Sequence, residues 1–187
     1  MGWVTRRQLV NLLGALTVTV VLAGLAFGLP AWDRSLPADR PVSAGAPYRI
    51  TDGVTVVPPP GAVLDVTGTR PGDDQGSVLF RIGPVRYAID VQPFDGTLAM
   101  AATRLRQRIT GTPGYQVTGG QFAVATGTGL RGLQGGYTAP GRGGRYAAYR
   151  AGPLTIEVTI SGAELDLGRT LPAIEASART IRYVGAT

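Results

Sequence analysis

Asp90 and Glu157 are the residues from which this chain could build acid–base chemistry. Each sits on the polar side of an alternating, strand-like run. A carboxylate pair at a suitable separation is the machinery of glycoside hydrolysis. Arg86 or Arg150 could equally neutralise such a carboxylate across neighbouring strands. Most other chemistries are excluded by composition. The chain has no histidine and no cysteine, so it lacks the usual general base, the usual metal ligands, disulfides and every Ser-His-Asp or Cys-His arrangement. All 18 basic residues are arginine. Without lysine there is no Schiff base, no Ser-Lys dyad and no P-loop lysine. No catalytic residue, cofactor or metal is assigned on these grounds.

The densest group of recognition-type side chains is Arg131, Tyr137, Arg142, Arg145, Tyr146, Tyr149 and Arg150. Planar guanidinium forks suit phosphate and carboxylate, and tyrosines suit interfaces, so this group is the candidate site for an anion or a partner. Gly127-Thr128-Gly129-Leu130-Arg131-Gly132 spells G-x-G-x-x-G. A dinucleotide site needs that motif between a strand and a helix, with an acid about 20 residues on. Strand-like sequence follows it here, so it reads as a strand connection. Asp73-Asp74 lacks the alternating acids of an EF-type loop and reads as a solvated turn.

Such residues need elements to carry them. Tyr48–Thr51 and Val54–Val57 are short β-type runs joined by Asp52-Gly53, a hairpin signal, and Pro58-Pro59-Pro60-Gly61 ends the second. Ala62–Thr67 is a further short run, and Arg70–Gly76 an exposed loop. Val78–Ile82 and Val85–Val91 form the clearest hairpin, turned by Gly83-Pro84. The spacing of Leu98, Ala102, Leu105 and Ile109 predicts a helix over Thr97–Thr110, with Arg108 near its C-terminal end. Tyr115–Thr118, Gln121–Ala125, Leu130–Thr138, Arg145–Arg150 and Leu154–Ser161 read as strands. A last helix is expected over Thr170–Ile181, capped by Thr170, with Pro172 in its first turn. The economical packing is a single α+β domain, an antiparallel sheet with its two helices on one face.

The N-terminal part is of another kind. Residues 8–32 carry no charge and are mostly Leu, Val, Ala and Gly. A hydrocarbon core of roughly 30 Å needs about 20 such residues. Trp3 and Trp32 flank the segment, as interfacial indoles do. Arg6 and Arg7 precede it, whereas Asp33, Arg34, Asp39 and Arg40 cancel beyond it. The positive-inside rule then places residues 1–7 in the cytoplasm, 8–32 across the bilayer, 33–46 as a linker and 47–187 as an extracytoplasmic domain. The alternative is a cleaved export signal, because Thr5-Arg6-Arg7-Gln8-Leu9-Val10 looks like a twin-arginine signal and Ala26-Phe27-Gly28 offers a cleavage site. Gly24 and Gly28, one helical turn apart, would allow two membrane helices to dimerise. Net charge is +6. Arg6 and Arg7 supply two of these charges inside, which leaves about +4 outside, where a basic domain could meet anionic lipid or wall polymer and where its side of the membrane points to envelope partners and away from nucleic acid. Arginine without lysine, with abundant Ala, Gly, Val and Thr, fits a high-GC bacterial genome.

Gly53-Val54-Thr55-Val56-Val57-Pro58-Pro59-Pro60-Gly61 resembles the opening of the Mog1/PsbP-like fold, a strand running into P-x-G. Ala62 or Val63 stands where an aromatic is usual. A helix after a strand pair, then Gly-rich strands, then a final helix ending in Thr180-Ile181-Arg182, is similar to the same fold, over about Pro47–Tyr183. The resemblance implies a binding or assembly module on an exported or anchored envelope protein, and no catalytic residues. The expected function is therefore an anchored extracytoplasmic module with an envelope protein as partner. An Asp/Glu-dependent envelope hydrolase, or an adaptor for anionic wall polymer or lipid, is the alternative.

Overall fold

The structure is a computed structural model that describes residues 39–43 and 45–185. The expected membrane segment 8–32, its flanking arginines and the Gly24/Gly28 pair lie outside the described residues. Among the described residues, no helix is long and apolar enough to cross a membrane.

The domain is built on an antiparallel sheet of eight strands, with a small sheet of three beside it. In chain order the strands are β1 (Asp39–Pro41), β2 (Tyr48–Arg49), β3 (Val54–Val56), β4 (Val63–Asp65), β5 (Gly76–Ile82), β6 (Val85–Pro93), β7 (Gln116–Ala125), β8 (Arg131–Ala139), β9 (Arg142–Ala151), β10 (Leu154–Gly162) and β11 (Arg182–Tyr183). The helices are α1 (Leu98–Thr110), between β6 and β7, and α2 (Glu164–Arg179), between β10 and β11. The large sheet runs β1-β4-β5-β6-β10-β9-β8-β7 and the small one β11-β3-β2.

Two hairpins follow directly from local chemistry. Gly83-Pro84 and Gly152-Pro153 are two-residue connections whose glycines take φ of 56° and 57°, a left-handed conformation open to glycine at no steric cost. They fix the registers Ile82↔Val85 and Leu154↔Ala151. Because β6 and β10 also pair, Glu157 falls directly opposite Asp90.

The helices pack on opposite faces of the sheet, not on the one shared face expected from the sequence. Side chains alternate across a strand. On β9, Tyr146 and Ala148 join Ala101, Ala102, Leu105 and Ile109 of α1 in one core cluster. Ala147, Tyr149 and Ala151 join Ile174, Ala178 and Ile181, two residues beyond the end of α2, in another. The small sheet adds Val54 and Val56 to that second core. Strand β9 is thus buried on both sides, which its small, mixed sequence does not advertise.

Two boundaries also differ from expectation. Asp39–Pro41, inside the presumed linker, pairs with Val63–Asp65 as an edge strand, and Asp39 accepts a bond from Arg81 at 3.0 Å. Helix α2 starts at Glu164, ahead of Thr170, whose hydroxyl donates to Asp166 O at 2.8 Å inside the helix. Glu164 and Asp166 favour that start through the positive N-terminal end of the helix dipole. Pro172 then lies within the helix and gives up one backbone hydrogen bond.

Candidate functional site

The pleat divides the Arg/Tyr group. Arg131, Tyr137, Arg142, Tyr146 and Arg150 share the α1 side of β8 and β9, whereas Arg145 and Tyr149 project to the α2 side. Distance divides it again: Arg142 and Arg150 are eight residues apart along one strand, about 26 Å. The tyrosines are core residues, with Tyr137, Tyr146 and Tyr149 at 6%, 1% and 4% exposure. Burial raises the phenols of Tyr137 and Tyr149 above their ordinary range. Arg150 is occupied, donating to Phe94 O and so fastening β9 to the loop ahead of α1. Arg131 stands exposed at the far end of β8.

What remains together is Tyr137, Arg142 and Arg145. These line a groove of about 720 Å³ between the β8–β9 hairpin and the first half of α2, whose wall is Glu164, Leu167, Gly168 and Leu171. The hairpin turns at Pro140-Gly141, with Gly141 at φ 70°, and Gly143 and Gly144 follow. A Cβ on Gly144 would meet Ile160 O at 2.1 Å and the Tyr137 ring at 2.4 Å, so only glycine lets the tyrosine lie across the strand. There Tyr137 donates its hydroxyl to Ile160 O at 3.0 Å. Arg145 reaches Glu175 at 3.2 Å, with side chains 42% and 33% exposed. A pair this open is worth about 0–1 kcal/mol, so Arg145 can exchange partners at little cost. Leu165, one residue beyond Glu164, is 80% exposed.

The acidic pair does converge. Asp90 and Glu157 face each other across β6 and β10 and line a cavity of about 330 Å³ with Leu105, Arg108, Ile109, Thr112, Tyr115, Tyr137 and Thr159. The Glu157 side chain is 1% exposed and in contact with Arg108, whose own side chain is 51% exposed. Neither Arg86 nor Arg150 makes that contact. Arg86 sits opposite Arg81 and Ser161, toward the other end of the strands. Along the sequence Arg108 reads only as a charge at the C-terminal end of the helix dipole. Its one signal is its place on α1, three residues after Leu105 and one before Ile109, beside the buried stripe. Hydrolysis by a carboxylate pair needs both groups open to the scissile bond. Glu157 lies beneath a guanidinium, so the arrangement suits holding a charge better than attacking one.

Burial raises the Asp90 carboxyl above its ordinary range, and Arg108 draws it part of the way back. A native value above the unfolded one means that the folded chain holds this proton more tightly. The ionised form therefore opposes folding, a cost absent below the unfolded pKa and growing as pH rises through the native one. Asp90→Asn removes it. Relative to the parent, the variant should melt higher at about pH 7 than at about pH 4, near the unfolded carboxylate value. A melting-temperature difference that is the same at both pH values, or of opposite trend, would reject this assignment.

The G-x-G-x-x-G run connects β7 to β8, strand to strand. Gly127 N–H donates to Arg179 O at 2.7 Å and the Thr128 hydroxyl to Ile181 O at 3.2 Å, so the loop staples the sheet to the end of α2. Among the described residues, no group of three or more His, Cys, Asp or Glu could hold a metal ion.

No family model and no curated protein matches the chain. Among solved structures it is similar to CyanoP, the cyanobacterial PsbP of Synechocystis, at 16% identity over 80% of this chain and 99% of that one, with a TM-score of 0.53. The chain has a Mog1/PsbP-like fold. Looser likenesses join it to PA94 of Pseudomonas aeruginosa, a protein of unknown function, at 19% identity over 62% of this chain and 86% of that one, TM-score 0.48. They join it also to LpqN of Mycobacterium tuberculosis, involved in cell envelope biogenesis, at 13% identity over 79% and 91%, TM-score 0.42. At these identities the Mog1/PsbP-like comparison speaks of architecture and leaves the ligand open.

Proposed function

We propose that this chain is a binding or assembly module of the cell envelope of a high-GC bacterium. Residues 8–32 anchor it in the membrane with the N-terminus inside, and the Mog1/PsbP-like domain works on the extracytoplasmic side. It seats a protein partner in the groove between the β8–β9 hairpin and α2. The observation that carries the binding reading is that groove: about 720 Å³, with Arg142 and Arg145 beside apolar Leu167 and Leu171. The uncharged run 8–32 after Arg6 and Arg7 supports anchor and orientation.

The test is a C-terminally tagged full chain in a bacterial host. The tag should stay with membranes through carbonate extraction, and protease should remove it from spheroplasts without lysis. A tagged chain released by carbonate and beginning near Leu29 would replace the anchor by an export signal. A tag protected until lysis would overturn the orientation.

A further inference from the structure

We propose that the cavity between α1 and the sheet is a binding site for a small organic cation, held by its ammonium or guanidinium group between Asp90 and Glu157. The charges at the cavity are unequal. Two carboxylates face each other at a directly opposed register position, where Cβ atoms stand about 5 Å apart. One guanidinium, that of Arg108, answers both. Arg104, one turn earlier on α1, is turned elsewhere: it donates to Gln92 Oε1 at 3.0 Å and lies 5.8 Å from the centre of the Phe94 ring. Glu157 is 1% exposed. Arg108 touches one of its oxygens, Oε2, and the other, Oε1, receives no hydrogen bond from the protein. A buried carboxylate with one oxygen left over is a strong acceptor at the wall of the cavity.

The walls choose the kind of cation. Leu105 and Ile109 are apolar, and Tyr115 stacks on Tyr137 with ring centres 5.7 Å apart. Calcium or magnesium asks for about six or more oxygens at short range, which these walls do not offer. An alkyl chain against Leu105 and Ile109, with a cation near tyrosine faces, fits them. A volume of about 330 Å³ admits a small molecule. Arg108 reaches the site from a half-exposed position. It supplies from within the chain the same chemistry that a ligand brings from outside, and a ligand competes with it.

The test is calorimetric titration of the full-length chain in detergent at low ionic strength, with n-butylamine and agmatine as probes and n-butyrate as the anionic control. Saturable one-to-one binding of at least one amine is expected, and none of butyrate. Asp90→Asn, which keeps the Arg108–Glu157 pair, should weaken it at least tenfold, as should Glu157→Gln. Arg108→Ala, free of the internal competitor, should bind at least tenfold tighter and gain more melting temperature from the amine than the parent does. Unchanged affinity in Asp90→Asn would overturn the proposal even if Arg108→Ala fails to fold. So would an amine displaced by calcium chloride at equal concentration, or binding seen with an arginine-containing peptide but with neither small amine.

Discussion

Arg108→Ala should destabilise the domain by about 3–5 kcal/mol, the usual result of removing one partner from a buried ion pair. The size follows from the asymmetry of the pair. Arg108 is half in solvent, whereas Glu157 is 1% exposed. Losing the arginine therefore leaves a deeply set carboxylate without its charge partner, and that penalty exceeds the strength of the contact itself. Removing the stranded charge should restore much of the loss, so Arg108→Ala/Glu157→Gln should be more stable than Arg108→Ala alone. Urea unfolding of the parent, both single variants and the double variant measures this coupling directly. If the two single losses simply add, Glu157 is not leaning on Arg108.

Ile174→Ala should cost about 2–5 kcal/mol by losing apolar burial and leaving a cavity. Ile174 is fully buried and belongs to the core on the α2 side, with Tyr87, Ile89, Val158 and Ile160 of the sheet beneath it. The core on the α1 side, built around Leu105 and Ala148, is separate. The change should therefore lower the unfolding midpoint while leaving the surroundings of Tyr115 and Tyr137 intact below the transition. Near-ultraviolet circular dichroism and urea titration together report on both. A loss under 1 kcal/mol would mean that α2 does not close that face.

The parts of the fold legible in the sequence are those set by neighbours along the chain. Gly83-Pro84 and Gly152-Pro153 announce their hairpins, and the stripe through Leu105 and Ile109 announces α1. The start of α2 was hidden because its first turn is a poor advertisement. Ala163 makes no side-chain cap, Leu165 faces solvent, and Pro172 suggests a first turn where the helix is already under way. Strand β1 was hidden because all three of its residues are exposed and the last is proline, so no hydrophobic period marks it. The opposite placement of the helices depends on β9 being buried on both sides, and Arg-Tyr-Ala-Ala-Tyr-Arg offers polar names for buried positions.

The sites follow the same division. That Asp90 and Glu157 lie on polar strand faces was readable, since each alternates with Val or Ile. That they meet was not, because it rests on β10 pairing with β6 in one register across 67 residues of chain. Arg108, which covers the pair, comes from a third element. The Arg/Tyr group failed as one site for the opposite reason: residues close in sequence were separated by the pleat. The three that stay together, Tyr137, Arg142 and Arg145, are those beside the hairpin, where two strands and the start of α2 come close.

A partner seated in the hairpin–α2 groove, as proposed, would lie within reach of Leu167. The direct measurement is photo-crosslinking in intact cells, with a benzoylphenylalanine placed at Leu167 in the groove or at Met100, which is 57% exposed on α1. One discrete adduct with an envelope protein is expected from position 167, none from position 100, and the adduct should be lost when Arg142→Glu is added. Equal adducts from both positions, or an adduct from 167 that survives Arg142→Glu, would contradict it.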